Sequence, residues 1–478
     1  MRSAGPPQGS NCASAGASAD AKRDVKAASA PRESTGVSAM EAYFDTLAAG
    51  VDRSLEAGES YTLDFAAEAT DFVRMNRGKV RQPGHVEQRY LDVRLIRGAR
   101  HASHLLSLTG DVAADARIVD TALAGLRDAL PELHDDPHLL LPGTVASSRS
   151  ERSGSMPAPE AMIDALLTMG RGQDLVGMLA AGPVYRGFAN AQGQRNWHAT
   201  TTFNLQWSLY YRADKAVKSS YTGFAWRDAE LQSKMGAAVE QLALISRPPK
   251  ALAPGKYRAY LPPAALHEVT DLLAWGGFSA QALATQQSPL AKMRAGARLD
   301  PRVTMSEDIA SGVAPAFQAE GFARPGAVPL IVDGDLAGSL VSPRTAREFD
   351  LLTNGANGAE SPEALSMAGG DLAAGDALAA LDTGLAIGNL WYLNFSDRPA
   401  CRMTGMTRFA TFWVENGKIV APVDVLRFDD TIYRMLGENL EALTAERELL
   451  LEANSYGSRA LSSVRLPGVL LSGMNFTL

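Results

Sequence analysis

Hydrophobic positions change period repeatedly along this chain, and each change marks an element. Tyr43, Phe44, Leu47, Val51 and Leu55 recur at helical spacing and predict an amphipathic helix over 40–57. Alternation then takes over. Leu63, Phe65, Phe72 and Val73 predict one or two strands over 61–75, and Tyr90, Leu91, Val93 and Leu95 predict another over 87–96. Turn residues at Asn76-Arg77-Gly78-Lys79 and Arg97-Gly98-Ala99-Arg100 bound that strand, and 101–108 returns. Ile118, Leu123, Leu126 and Leu130 restore the helical period over 113–130. Helix, meander, helix predicts a compact α+β domain over 40–130.

The stretch 131–159 carries five prolines and a Ser-rich centre, SSRSERSGS, and reads as a mobile linker. A middle segment, 160–250, follows. Its pattern predicts a helix from 160 to 167, then two strands, 174–180 and 184–189, separated by Gly182-Pro183. After a turn at 190–193 come a strand over 200–211 and a helix over 227–244. From 251 onward a larger, β-rich C-terminal domain is expected. Strand 256–261 leads into a helix opened by Pro262-Pro263 and closed by Gly276-Gly277. A short strand with an Asp333-Gly334 turn falls in 329–340, with a helix over 343–352 and a weakly helical run over 364–382. Strand 384–395 leads to a hairpin in 404–428, whose turn is Asn416-Gly417 because both residues tolerate positive φ. A helix over 430–443 and a strand over 463–471 finish the chain. The fold class predicted is therefore α+β.

Composition narrows the function. A net charge of −7 and 21% charged residues fit a soluble globular protein and argue against a nucleic-acid partner. No apolar run approaches the roughly 20 residues that span a bilayer, so no membrane partner is expected. Cys12 and Cys401 are the only cysteines and form no CxxC pair, which suits a reducing, cytoplasmic setting. The first 39 residues are rich in Ala, Ser, Gly and Pro and read as a disordered tail, with Met40 an equally good start.

The sharpest chemical candidate is His267-Glu268 on the helix over 263–275. An imidazole and an adjacent carboxylate begin many zinc hydrolase sites, where one binds the metal and the other takes a proton from the metal-bound water. A second imidazole is needed four or five residues on, and Asp271 and Leu272 stand there. No catalytic zinc and no other bound cofactor are therefore expected in this chain. Cys401, between Arg398 and Arg402, or a divergent site near it, is the alternative that would make the chain a stand-alone hydrolase. Arg398, Arg402 and Arg408 could hold a peptide carboxylate or form an interface network with Asp397, Arg427, Asp429 and Asp430.

The wording TG…FWVENGKI…PV before IYRMLGENLEAL resembles the C-terminal domain of the TldD/TldE (PmbA) metallopeptidase family. The turn at Asn76-Arg77-Gly78, the segment 185–193 with Thr200–Thr202, and 317–349 are similar to it too, with Gln318 where that family has Asp. The resemblance implies the fold of that family. TldD-type chains carry HExxxH and a distant cysteine ligand, whereas TldE-type chains lack them and pair with the active subunit. Leu272 replaces the second histidine, and Asn454-Ser455-Tyr456-Gly457-Ser458 offers no cysteine. The resemblance thus implies a TldE-like partner of a TldD-like zinc peptidase subunit. It would act on unfolded peptides in the cytoplasm, the zinc would sit in the partner, and a homodimer could form when the partner is missing. A non-proteolytic interaction protein of the same fold is the remaining alternative.

Overall fold

The computed structural model describes residues 35–212 and 215–477. Among these, the strands form two sheets. The N-terminal sheet holds β1 (Glu59–Asn76), β2 (Lys79–Arg97), β3 (Arg100–Leu108), β4 (Ser148–Arg152), β5 (Asp174–Asn190), β6 (Arg195–Arg212) and β7 (Lys215–Gly223). Their order is β3-β2-β1-β5-β6-β4, and β7 pairs with the far half of β6. The C-terminal sheet holds β8 (Gly255–Leu261), β9 (Met305–Glu307), β10 (Val328–Val332), β11 (Asp335–Leu336), β12 (Ala364–Met367) and β13 (Gly384–Asp397). It continues with β14 (Arg402–Glu415), β15 (Lys418–Pro422), β16 (Arg427–Thr431), β17 (Leu440–Leu451) and β18 (Ser463–Phe476). The class is α+β, and the C-terminal domain is β-rich as expected.

Alternation explains how the N-terminal sheet is covered. Phe65, Leu91, Val93, Tyr185 and Trp197 point to one face, where α1 (Thr35–Ser54) and α2 (Val112–Ala129) bury Phe44, Leu47, Val51, Val119 and Leu123 against them. Phe44 stacks on Phe65 with ring centroids 5.2 Å apart. Asp115, fully buried, takes hydrogen bonds from the Tyr43 hydroxyl and from the backbone N–H of Thr109 and Gly110, fixing α2 to β3. The intervening residues, Asp64, Arg94, Arg186, Thr202 and Asn204, turn the other way, and several of them reach the C-terminal domain. Arg94 reaches Glu320 at 3.1 Å, and Asn204 reaches the Leu451 and Glu452 carbonyls. Helices α3 (Pro159–Met169) and α4 (Asp228–Ile245) pack on β5–β7 and also meet Ala410 and Phe412 of β14. In the C-terminal domain α5 (Pro263–Ala274) buries Leu266, Val269 and Leu273 against Leu385, Ile387, Leu471 and Met474.

Several expectations are corrected. The Ser-rich centre of the expected linker is β4, paired in parallel with β6 and capped by Gly154, where a Cβ would lie 2.6 Å from the Thr201 carbonyl oxygen. One sheet therefore joins 40–130 to 160–250. The strands expected at 174–180 and 184–189 are a single β5: Gly182 takes φ +141 and lets its backbone approach Ala69 of β1. The helix expected over 430–443 is instead β16, a single π-type turn at Arg434–Glu438, and β17. Its apolar residues are buried as their spacing suggested, but β17 is paired along β18, and that tertiary pairing overrides the helical propensity of LEALTAERELLL. The run 364–382 begins with β12 and is helical only at Ala377–Leu381. Residues 35–39 of the expected tail belong to α1, and 1–34 lie outside the described residues.

Candidate functional site

Helix α5 starts where Pro262 and Pro263 preset φ and need no N–H partner, and it ends at Gly276, whose φ is +77. It lies against β13, β17 and β18, facing the loop 452–462 that joins the last two. His267 is largely enclosed there and its Nδ1 is buried without a hydrogen-bond partner. Burial lowers the pKa of His267, opposed by the nearby carboxylates of Asp271 and Glu452 and reinforced by Lys218 of β7. Burial raises that of Glu268, with Lys218 opposing and Asp271 and Glu452 adding. The sheet junction thus brings together the His267-Glu268 pair, Asp271, Lys218 and the loop residue Glu452.

This donor set does not fit a zinc ion. Leu272, at the position a second imidazole would occupy, is 8% exposed and packs in the C-terminal core. Among the described residues no three His, Cys, Asp or Glu side chains are grouped so that they could hold a metal. Loop 454–458 supplies only Asn, Ser, Tyr and Gly.

Beside this corner runs a groove that the sequence reading missed. Its floor is a polar stripe on β6, Thr202, Asn204, Gln206 and Ser208, which side-chain alternation projects to one face. Loop residues from 451 to 461 close over one end, leaving only about 20 Å³ there, and Arg74, Asn76 and Lys218 line its open continuation of about 420 Å³. The Asn204 Nδ2 donates to the Glu452 carbonyl at 2.9 Å, while its Oδ1 is buried and unpaired. From Thr202 to Ser208 the stripe spans about 20 Å at the usual rise of a strand. The period-two polar run in TTTFNLQWS was the signal available for it.

Arg459 holds the loop to the sheet. Its Nη1 donates to the Gly182 carbonyl at 2.9 Å and its Nη2 to Thr202 Oγ1 at 2.6 Å, deep enough that burial lowers its pKa to about 10, with Glu68 opposing. Ser150 Oγ lies 2.8 Å from His198 Nδ1, the spacing of a nucleophile and its base. His198 is held instead by a backbone carbonyl, Val313 O at 3.1 Å, and burial lowers its pKa to about 4. A base that weak does not activate a hydroxyl, so this pair anchors β4.

The three arginines do not converge. Arg398 donates to the Trp275 carbonyl at 2.7 Å and the Gln287 carbonyl at 3.0 Å, tying down the end of α5. Arg402 pairs with Asp429 at 2.8 Å on the surface, a contact worth about 0–1 kcal/mol. Arg408 lies about 20 Å further along β14, stacked 3.9 Å from the Trp391 ring centroid. Asp430 is buried, accepting from Arg434 Nε at 2.9 Å and the Asn475 N–H at 3.0 Å. Cys401 is fully buried in the turn between β13 and β14, and burial raises its thiol to about 12. Burial therefore disfavours the thiolate that a nucleophile requires.

Residues 254–478 match the PmbA/TldA metallopeptidase C-terminal domain. No curated protein matches the sequence. Among solved structures, TldE from Thermococcus kodakarensis superposes with a TM-score of 0.73 at 11% identity, covering 91% of this chain and 100% of that one. A Thermotoga maritima protein proposed as a modulator of a DNA gyrase gives 0.72 at 14%, covering 92% and 100%. A similarly described protein from Bacteroides thetaiotaomicron gives 0.72 at 14%, covering 91% and 98%. Among the described residues, no helix is long and apolar enough to cross a membrane. The C-terminal domain of this chain, residues 254–478, thus belongs to the PmbA/TldA metallopeptidase family, and the chain as a whole has the TldE fold.

Proposed function

We propose that this chain is the TldE-like, non-catalytic subunit of a two-chain cytoplasmic zinc peptidase acting on unfolded peptides. The observation that carries this reading is the incomplete donor set on α5: one imidazole, a buried Leu272, and a facing loop without thiol or imidazole. Zinc, supplied by an HExxxH-bearing partner, would polarise the peptide carbonyl and activate water there. The β6 stripe supports a peptide-holding role for this chain. Thr202 and Asn204 are taken up by the 452–462 loop, but the partly exposed Gln206 and Ser208 can exchange hydrogen bonds with an extended backbone, and such contacts are indifferent to side-chain sequence.

The test is zinc content and cleavage of an unfolded peptide by the purified chain, by an HExxxH-bearing homologue, and by both together. The expected result is no zinc and no cleavage by this chain alone, with the mixture at least tenfold faster than the homologue alone. Stoichiometric zinc with unaided cleavage would overturn the proposal. Absence of any association would favour the non-proteolytic interaction protein.

A further inference from the structure

One exposed face of the C-terminal sheet carries side chains that neither the core nor the groove uses. Trp391, Met406 and Arg427 stand in a row across β13, β14 and β16. Next to them the alternation of β13 fails. The register shifts between Trp391 and Asn394, Tyr392 takes φ +59, and both aromatics emerge, Trp391 45% and Tyr392 74% exposed. On the facing strand Phe409 also takes φ +59, opposite a second shift between Ile387 and Asn389. A left-handed backbone is costly for a bulky aromatic, and strain of this kind concentrates at functional surfaces. Here its effect is to turn aromatic area into solvent.

Charge sharpens the picture. Arg408 is stacked on Trp391, and Arg427 donates only to Thr404 Oγ1, at 3.2 Å. Neither guanidinium has a carboxylate partner among the described residues, in a chain whose net charge is −7. A cleft of about 210 Å³ adjoins Arg408, with Phe409, Val423 and Val425 among its walls beside Lys215 and Thr407. Exposed Trp, Tyr and Arg beside a pocket is the composition that dominates binding energy at protein interfaces.

We propose that this face is a docking surface for a protein of different sequence that places carboxylates against Arg408 and Arg427 and an apolar side chain in the cleft. A second copy of this chain is disfavoured, because a twofold pairing would crowd four uncompensated guanidiniums together. A nucleic acid needs a longer cationic track than two arginines on an acidic chain. The inference rests on the two-subunit reading above, which makes the HExxxH-bearing chain the occupant.

The experiment is titration calorimetry of the purified full-length chain against the HExxxH-bearing homologue, at low and raised salt. Trp391→Ala and the double variant Arg408→Glu/Arg427→Glu should each weaken binding at least 30-fold. Arg408→Lys/Arg427→Lys should weaken it less than fivefold, and Leu352→Ala, at a remote side chain 92% exposed, less than twofold. Thermal melts check folding, and Tyr392→Ala carries the same expectation if Trp391→Ala lowers the melt. Wild-type binding that folded variants retain within twofold overturns this surface and leaves the two-subunit reading standing. Failure of the wild type to bind overturns both. Variants that lose a labelled single-stranded DNA yet keep the homologue's affinity would reassign the face to nucleic acid.

Discussion

Leu272 decides more than any other residue in this chain. It occupies the place where zinc chemistry would need an imidazole, yet its side chain is part of the core that seats α5 on the C-terminal sheet. Leu272→His therefore does not restore a peptidase. Burying a ring without a partner should cost about 2–4 kcal/mol in urea unfolding. Any zinc taken up should be lost on dialysis, because the facing loop offers no thiol or imidazole and its nearby carboxylate, Glu452, sits by the Lys218 cation. His198 offers a different single-residue test. Its pKa falls from 6.5 to about 4 on folding because burial disfavours the imidazolium, with Arg186 adding to that effect. The unfolded chain then binds the extra proton first. The stabilisation is complete above pH 6.5, declines as pH falls, and is exhausted below about 4. Linkage puts the loss at about 2 kcal/mol by pH 5. His198→Asn should remove that slope, so the stability difference between the two proteins should shrink from pH 7 to pH 5.

At the scale of elements, what the sequence disclosed depended on whether local pattern and tertiary pairing agreed. The β14–β15 hairpin was legible because Asn416 and Gly417, at φ +50 and +71, satisfy a turn that the flanking alternation already required. Helix α5 was legible from its prolines and closing glycines. β17 was not, because a Leu-, Glu- and Ala-rich segment reads as helix until β18 is there to pair with it. The groove was half legible: the polar alternation of β6 is in the sequence, but the loop that walls it arrives from 250 residues away. Gly182 was misread for a related reason. Glycine before proline suggests a break, yet here it lets β5 pass within touching distance of β1. Gly182→Ala would put a Cβ 2.2 Å from the Ala69 carbonyl oxygen, with backbone on both sides unable to yield. The cost should be about 2–4 kcal/mol, read from denaturant midpoints, with faster amide exchange along β1 and β5.

The whole molecule is two sheets joined both by apolar contacts, α3 and α4 against Ala410 and Phe412 and Val184 beside Val313, Leu451 and Leu461, and by polar contacts across their facing surfaces. Arg94 reaches across to Glu320. Asp64, on the same face between Arg186 and Asp92, is pushed up to about 6 by burial. Arg459 is the contact that commits most. It anchors the 452–462 loop to Gly182 and Thr202, and its own N–H points at Glu68, whose carboxylate also takes the Thr70 hydroxyl at 2.7 Å. Removing one member of such a buried set leaves the other uncompensated, which costs about 3–5 kcal/mol. Arg459→Ala should therefore destabilise strongly, but with a spatial signature. Hydrogen exchange should rise first across the loop and the ends of β17 and β18, while α1, α2 and their face of the N-terminal sheet stay protected by the aromatic packing around Phe44 and Phe65. Arg459→Lys keeps the charge but not the fork that spans two carbonyls and a hydroxyl, and should recover less than half of the loss. Uniform deprotection across both sheets would mean that the loop and the sheet unfold together and that Arg459 is not the separable clasp between them.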